Sequence, residues 1–153
     1  MKTNVNWLGS VRIYIATVIT ANMIWEVTQL PLYTIWSTGT TRDILFAVVH
    51  CTAGDFIIAT IALVAALLLF GRRAWPNERF IPVMIASLVI GVSYTIYSEW
   101  ANAVLHKNWA YSNLMPKLPI IGTGLSPLLQ WIMLPTVGFA AVSYFCRDYK
   151  QRR

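Results

Sequence analysis

"ILFAVVHCTAGDFIIATIALVAALLLF", residues 44 to 70, runs for 27 residues with one carboxylate, one histidine and no lysine or arginine. A helix needs about 20 apolar residues to cross the hydrocarbon core of a bilayer. The stretch therefore predicts a transmembrane helix, and the rest of the chain must be read as its companions.

Three other segments have the length and apolarity to match it. The first, about 13 to 36, is "IYIATVITANMIWEVTQLPLYTIW". The third runs from about 80 to 106, after a turn marked by Pro76 and Asn77. The fourth covers about 120 to 146, with Pro127 near its start and Pro135 inside it. Pro135 has no N–H for the carbonyl of Trp131, so a distortion is expected there. Over the whole chain of 153 residues, 57% are hydrophobic and 12% charged, against about 25% charged in soluble domains. Residues 1–153 are thus predicted to form a single all-α domain, a polytopic integral membrane four-helix bundle, with no repeat and no room for a second unit. Lys2 and the following apolar run resemble a signal sequence, but Trp25, Glu26 and Gln29 interrupt the run and no Ala-x-Ala site follows, so this segment is expected to stay as the first helix.

Orientation follows from the cations. Lys2, Arg12, Arg72, Arg73, Arg79, Arg147, Lys150, Arg152 and Arg153 fall on one side of a four-span arrangement, and only Arg42, Lys107 and Lys117 on the other. The positive-inside rule then puts both termini in the cytoplasm, with the bacterial inner membrane as the expected location. It also accounts for the net charge of +6 without nucleic acid, which is not expected as a partner. Cys51 and Cys146 fall at different depths, so both are expected to remain reduced. Trp36, Trp109 and Tyr111 on one side, and Trp75 on the other, suit interfacial belts.

Three of the six acidic residues, Glu26, Asp55 and Glu99, fall inside spans. A charge at the bilayer centre costs on the order of 3 kcal/mol on insertion scales, so such groups are expected to face a partner, the interior or a wet cavity. Counted from the predicted outer ends, Glu26, His50, Asp55, Glu99 and Gln130 all lie roughly 9 to 17 Å deep at 1.5 Å per residue. Five polar residues from four helices thus share one slab. Helical phase places Asn22, Glu26, Gln29 and Tyr33 on one stripe of the first helix, and Gly91, Thr95, Glu99, Asn102 and His106 on one stripe of the third. His50 and Asp55, about 140° apart, point to different neighbours unless Gly54 allows a bulge. The outer loop "HKNWAYSNLMPKLPIIGTGLSP", residues 106 to 127, reads first as an interfacial connector, with a lid folded over the polar seam as the alternative.

Several chemistries lack their spacing. No Glu-x-x-His, His-Glu-x-x-His or Cys-x-x-Cys occurs, and no metal is expected. Ser98 and Ser126 have no Gly-x-Ser-x-Gly context, and "GTG" at 122 to 124 is not followed by Lys-Ser/Thr. Haem held by His50 and His106 is weaker than their use as hydrogen-bond partners, so no cofactor is expected. Acid–base chemistry on a lipid-soluble, isoprenoid or sterol-like substrate uses most of the pattern. Glu26 and Glu99 are the expected acid–base pair, with His50 and Asp55 tuning or relaying protons. Asn22, Gln29, Asn102, His106 and Gln130 are expected to bind substrate polar groups, and Tyr33 and Trp131 to wall the pocket, as Trp25 and Trp100 could. The competing classes are a proton-coupled transporter or channel working as a homo-oligomer, and an accessory subunit of a larger membrane complex. Membrane lipid is a partner in every case.

Overall fold

The computed structural model describes residues 7–146. Its elements are α1 (Trp7–Gln29), a 3-10 turn (Leu30–Leu32), the single turn α2 (Ile35–Thr38), α3 (Thr41–Phe70), α4 (Phe80–Glu99), a π-helical continuation (Trp100–Leu105) and α5 (Leu125–Cys146). No strand occurs among the described residues. Four stretches are long and apolar enough to cross a membrane: Trp7–Leu32, Thr41–Phe70, Phe80–Leu105 and Leu125–Cys146. Lys2, Arg147, Lys150, Arg152 and Arg153, on which much of the predicted orientation rests, lie outside the described residues.

Helix ends depart from the predicted ones for local reasons. The first helix is already formed at Trp7, earlier than predicted, and its ladder stops at Gln29, because Pro31 has no N–H to give and disfavours helical backbone at Leu30. Tyr33 is then extended, so α2 is a separate turn and not the end of a helix reaching Trp36. A capping box sets the start of α3. The Thr40 hydroxyl accepts from the Asp43 N–H at 3.3 Å, and the Asp43 carboxylate accepts from the Thr40 N–H at 2.9 Å. The last helix starts at Leu125, not near 120, because residues 118–124 close on themselves. Leu118 N–H donates to the Thr123 carbonyl, Gly122 N–H donates to the Leu118 carbonyl, and Gly122 takes φ +69°, a value that favours glycine. Through Pro135 α5 stays helical, and the Thr136 hydroxyl donates to the Ile132 carbonyl at 2.6 Å in the same turn.

α1 packs on α3 and α5, and α4 packs on the same two helices. Asn22 meets Gln130, and Val18 and Tyr14 meet Gly138, so α1 and α5 run antiparallel. The sorting of residues reverses that of a water-soluble protein. Leu45, Val49, Ile57, Ile61 and Leu68 of α3 face outward, while the buried stripe of α1 is Ser10, Tyr14, Val18, Asn22, Glu26 and Gln29. Apolar outer faces on every long helix are favourable in lipid and a liability in water. Toward the Trp7 end the interior closes on Tyr14, Val18, Leu63, Val83, Phe139 and Val142, with the Phe139 ring 4.7 Å from Tyr14 and 5.7 Å from Phe80.

Small residues let these helices approach. A Cβ at Gly91 would lie 2.5 Å from Trp131 Cε3, whereas one at Gly54 would meet nothing within 4 Å. Gly91→Ala is therefore expected to destabilise the fold by about 1–3 kcal/mol through overpacking. Gly54→Ala is expected to leave it unchanged or slightly firmer, since alanine favours helix. Thermal unfolding of the two variants in one detergent checks the contrast, and equal melting temperatures would contradict it.

Candidate functional site

Away from the closed apolar end, the four long helices diverge around a cavity of about 920 Å³. It is lined by Glu26, Gln29 and Tyr33 from α1 and its extension, by His50, Gly54 and Asp55 from α3, by Thr95, Ser98 and Glu99 from α4, by Asn102 from the π segment, and by Gln130 and Trp131 from α5. All five residues predicted to share one depth thus border one space.

The centre of the site is the side-chain amide of Gln130, which is 3% exposed. Its Nε2 donates toward Asn22 Oδ1 at 2.8 Å, Glu26 Oε1 at 2.9 Å and Asp55 Oδ2 at 2.9 Å. Gln29 extends the network: its Nε2 donates to Glu26 Oε1 at 2.8 Å, and its Oε1 accepts from the Ser126 hydroxyl at 2.8 Å and the Trp25 indole at 3.2 Å. Three helices are tied to one amide. An amide nitrogen carries two hydrogens, so it cannot satisfy three oxygens at once. The Glu26 and Asp55 carboxyls thus converge side by side on one nitrogen.

A second polar group lies toward the loops. The Tyr111 hydroxyl donates to Glu99 Oε2 in a short hydrogen bond. The Trp109 indole lies against both residues, but its buried N–H is not aligned on either. Asn102 donates to the Ser98 carbonyl at 2.9 Å and accepts from Asn108 at 2.7 Å.

Tyr111 comes from the loop predicted first as a plain connector, and that expectation is corrected: the loop folds back over the seam. Thr34 N–H donates to the Ala110 carbonyl and Ser112 N–H donates to the Leu32 carbonyl, both at 2.9 Å, and the Ser112 hydroxyl reaches the Pro31 carbonyl. These bonds hold Tyr33 and Tyr111 in an isolated antiparallel bridge with ring centroids 5.6 Å apart. Pro31 matters here because it ends α1 and frees carbonyls for the loop to use. Burial first, and the Glu99 carboxyl second, hold both tyrosine hydroxyls well above the usual phenol range, so both remain neutral donors.

Other candidates fall elsewhere. His106 continues the α4 stripe in a regular helix, but its N–H donates to the Ala101 carbonyl, five residues back, and the wider π turn rotates it out. It is exposed and does not line the cavity. Asn22 is buried behind Gln130 without reaching the cavity wall. α3 passes Gly54 without a bulge. His50 is exposed at the rim and stacks on Phe46 at 5.4 Å, while Asp55 is buried, so the cavity is broad enough to touch two faces of one helix. Cys51 and Cys146 are free. No cluster of three or more His, Cys, Asp or Glu side chains suited to a metal occurs among the described residues. Ser126 and Tyr111 are among the network members that sequence reasoning missed as site residues. Neither has a local motif, since their partners are 97 and 12 residues away.

Comparison with known proteins finds no matching family, no matching curated protein and no matching solved structure.

Replacing Gln130 with Leu keeps the bulk and strips the donor from buried oxygens, at about 1–3 kcal/mol for each acceptor left unmet. A melt in detergent should fall by several degrees, and a wild-type melt would show that the amide does not hold the helices together. The tyrosines set an alkaline limit. An unfolded chain releases their protons near pH 10, while the folded chain keeps them, so stability should fall as pH rises above 10. The decline should be shallower in Tyr33→Phe and in Tyr111→Phe, measured as melting temperature against pH.

Proposed function

We propose that this chain is a small membrane enzyme, a four-helix bundle of the bacterial inner membrane with both termini in the cytoplasm, that performs acid–base chemistry on an isoprenoid- or sterol-like substrate. The observation that carries the reading is the makeup of the cavity. Four carboxyls, Glu26, Asp55 and Glu99 with Asp43 at the start of α3, line a space with aromatic walls, Tyr33, Phe46, Tyr94, Trp109 and Trp131, and no lysine or arginine lines it among the described residues. Such a space suits a substrate that is neutral and apolar at rest and gains positive charge during reaction.

Glu26 and Asp55, side by side at the Gln130 amide, act together as the general acid. Glu99, held by Tyr111, is the base on the opposite wall. Protonation of a carbon–carbon double bond by the pair gives a cation, and removal of a neighbouring proton by Glu99 moves the double bond. Capture by water or by a second double bond would make the same site a hydratase or a cyclase. Gln29 and Gln130 hold Glu26 and Asp55, and Asn102 meets a polar group of the substrate.

Transport needs a continuous wet path. Beyond Trp131 the interior closes on Val18, Leu63, Val83 and Phe139, with Ser10, Ser87 and the Tyr14 hydroxyl as separate polar groups among them, which favours a closed reaction pocket over a relay. Native mass spectrometry of gently extracted protein should find one isoprenoid- or sterol-like molecule per chain. Glu99→Gln should stay folded and lower turnover of that molecule by about 10² to 10⁴, the usual range for loss of a general acid or base. An empty wild-type chain in an oligomer, or unaltered turnover in Glu99→Gln, would overturn this reading.

A further inference from the structure

At the end of the helices opposite the cavity, Trp7, Leu67, Gly71, Arg72, Arg73 and Trp75 enclose a groove of about 510 Å³. Trp75 is 1% exposed, and its indole N–H has no hydrogen-bond partner among the described residues. Buried donors in folded proteins nearly always have an acceptor, so an orphan donor beside a groove indicates a missing one. Arg72 and Arg73 line the same groove and, among the described residues, no acidic residue does. Two guanidinium groups and an N–H form a donor set for a tetrahedral oxyanion. Trp7 and Leu67 add apolar wall, next to Leu68 and Leu69, which are 82% and 69% exposed on the lipid-facing side.

We infer that this groove binds a phosphate group, presented as the headgroup of an anionic phospholipid. The arginines take the phosphate oxygens, Trp75 donates the remaining hydrogen bond, and Trp7 and Leu67 pack against the first carbons of the acyl chains. The site does not depend on the chemistry of the cavity. The arginine pair and Trp75 belong to the short α3–α4 connector, so the lipid braces the turn that joins those two helices.

Lipid-depleted full-length protein in neutral detergent is titrated with phosphatidylglycerol and, separately, phosphatidylcholine, with bound lipid read by native mass spectrometry. Phosphatidylglycerol should bind saturably at one per chain and more tightly than phosphatidylcholine. Trp75→Phe, which removes the N–H and keeps an aromatic ring, should weaken it about fivefold, the worth of one hydrogen bond. Arg72→Gln/Arg73→Gln, at exposed positions that leave the fold intact, should weaken it about 25-fold at fivefold per charge. Lipid-free melts of each variant separate lost binding from lost folding. Equal occupancy by the two lipids, or wild-type affinity in either variant, overturns the site. Displacement of phosphatidylglycerol by millimolar inorganic phosphate overturns the lipid assignment in favour of a soluble phosphoester, and resistance to displacement supports the headgroup.

Discussion

Placing a hydrogen-bonding group among apolar helices is unfavourable unless its partners come with it, and in this protein Asn22, Glu26 and Asp55 find theirs at Gln130. From α5 its amide reaches α1 twice and α3 once. Leucine tails attract lipid as well as they attract other helices, so apolar packing alone gives little reason for these four to associate in one register. The Gln130 contacts give such a reason. They pair α1 and α5 at one height, bring Asp55 beside Glu26, and leave Glu99 across a space that no side chain fills.

That space is also a consequence of packing elsewhere. Toward the Trp7 end, Gly138 and Gly91 admit Val18, Tyr14 and Trp131, so the helices there are close. On the other side of Trp131 the interior side chains are held to the cavity walls, the carboxyls and amides by their hydrogen bonds to one another, and His50 and Phe46 carry their bulk at the rim. The helices are held apart and the loop after α4 covers the gap, tied to the end of α1 through main-chain bonds that Pro31 leaves available.

How much of this could be read from the chain depends on how local each determinant is. The four long apolar stretches were legible because length and composition define them. The inward stripe of α1 was legible because Asn22, Glu26 and Gln29 keep helical spacing on an otherwise apolar segment, and depth counting brought Glu26, Asp55, Glu99 and Gln130 to one level without knowledge of any contact. His106 was misplaced because a π turn breaks the periodicity that located it, and no residue in "WANAVL" announces such a turn. Tyr111 and Ser126 were missed because their roles exist only after distant segments meet. The capping box of Thr40 and Asp43 was within reach, since Thr-x-x-Asp before an apolar run is a helix-start signal, and reading it would have placed the start of α3 near Thr41.

The apolar plug of Tyr14, Val18, Leu63, Val83 and Phe139 has a consequence for energy as well as for shape. In the proposed acid–base reaction, protons would reach the carboxyls from the end of the helices away from this plug, so the site would follow the acidity of a single compartment. Moving a proton in and out by the same door carries no net charge across the bilayer. In the proposed reaction the membrane voltage therefore does no net work, and that chemistry would run at the same equilibrium in an energised cell and in a leaky vesicle.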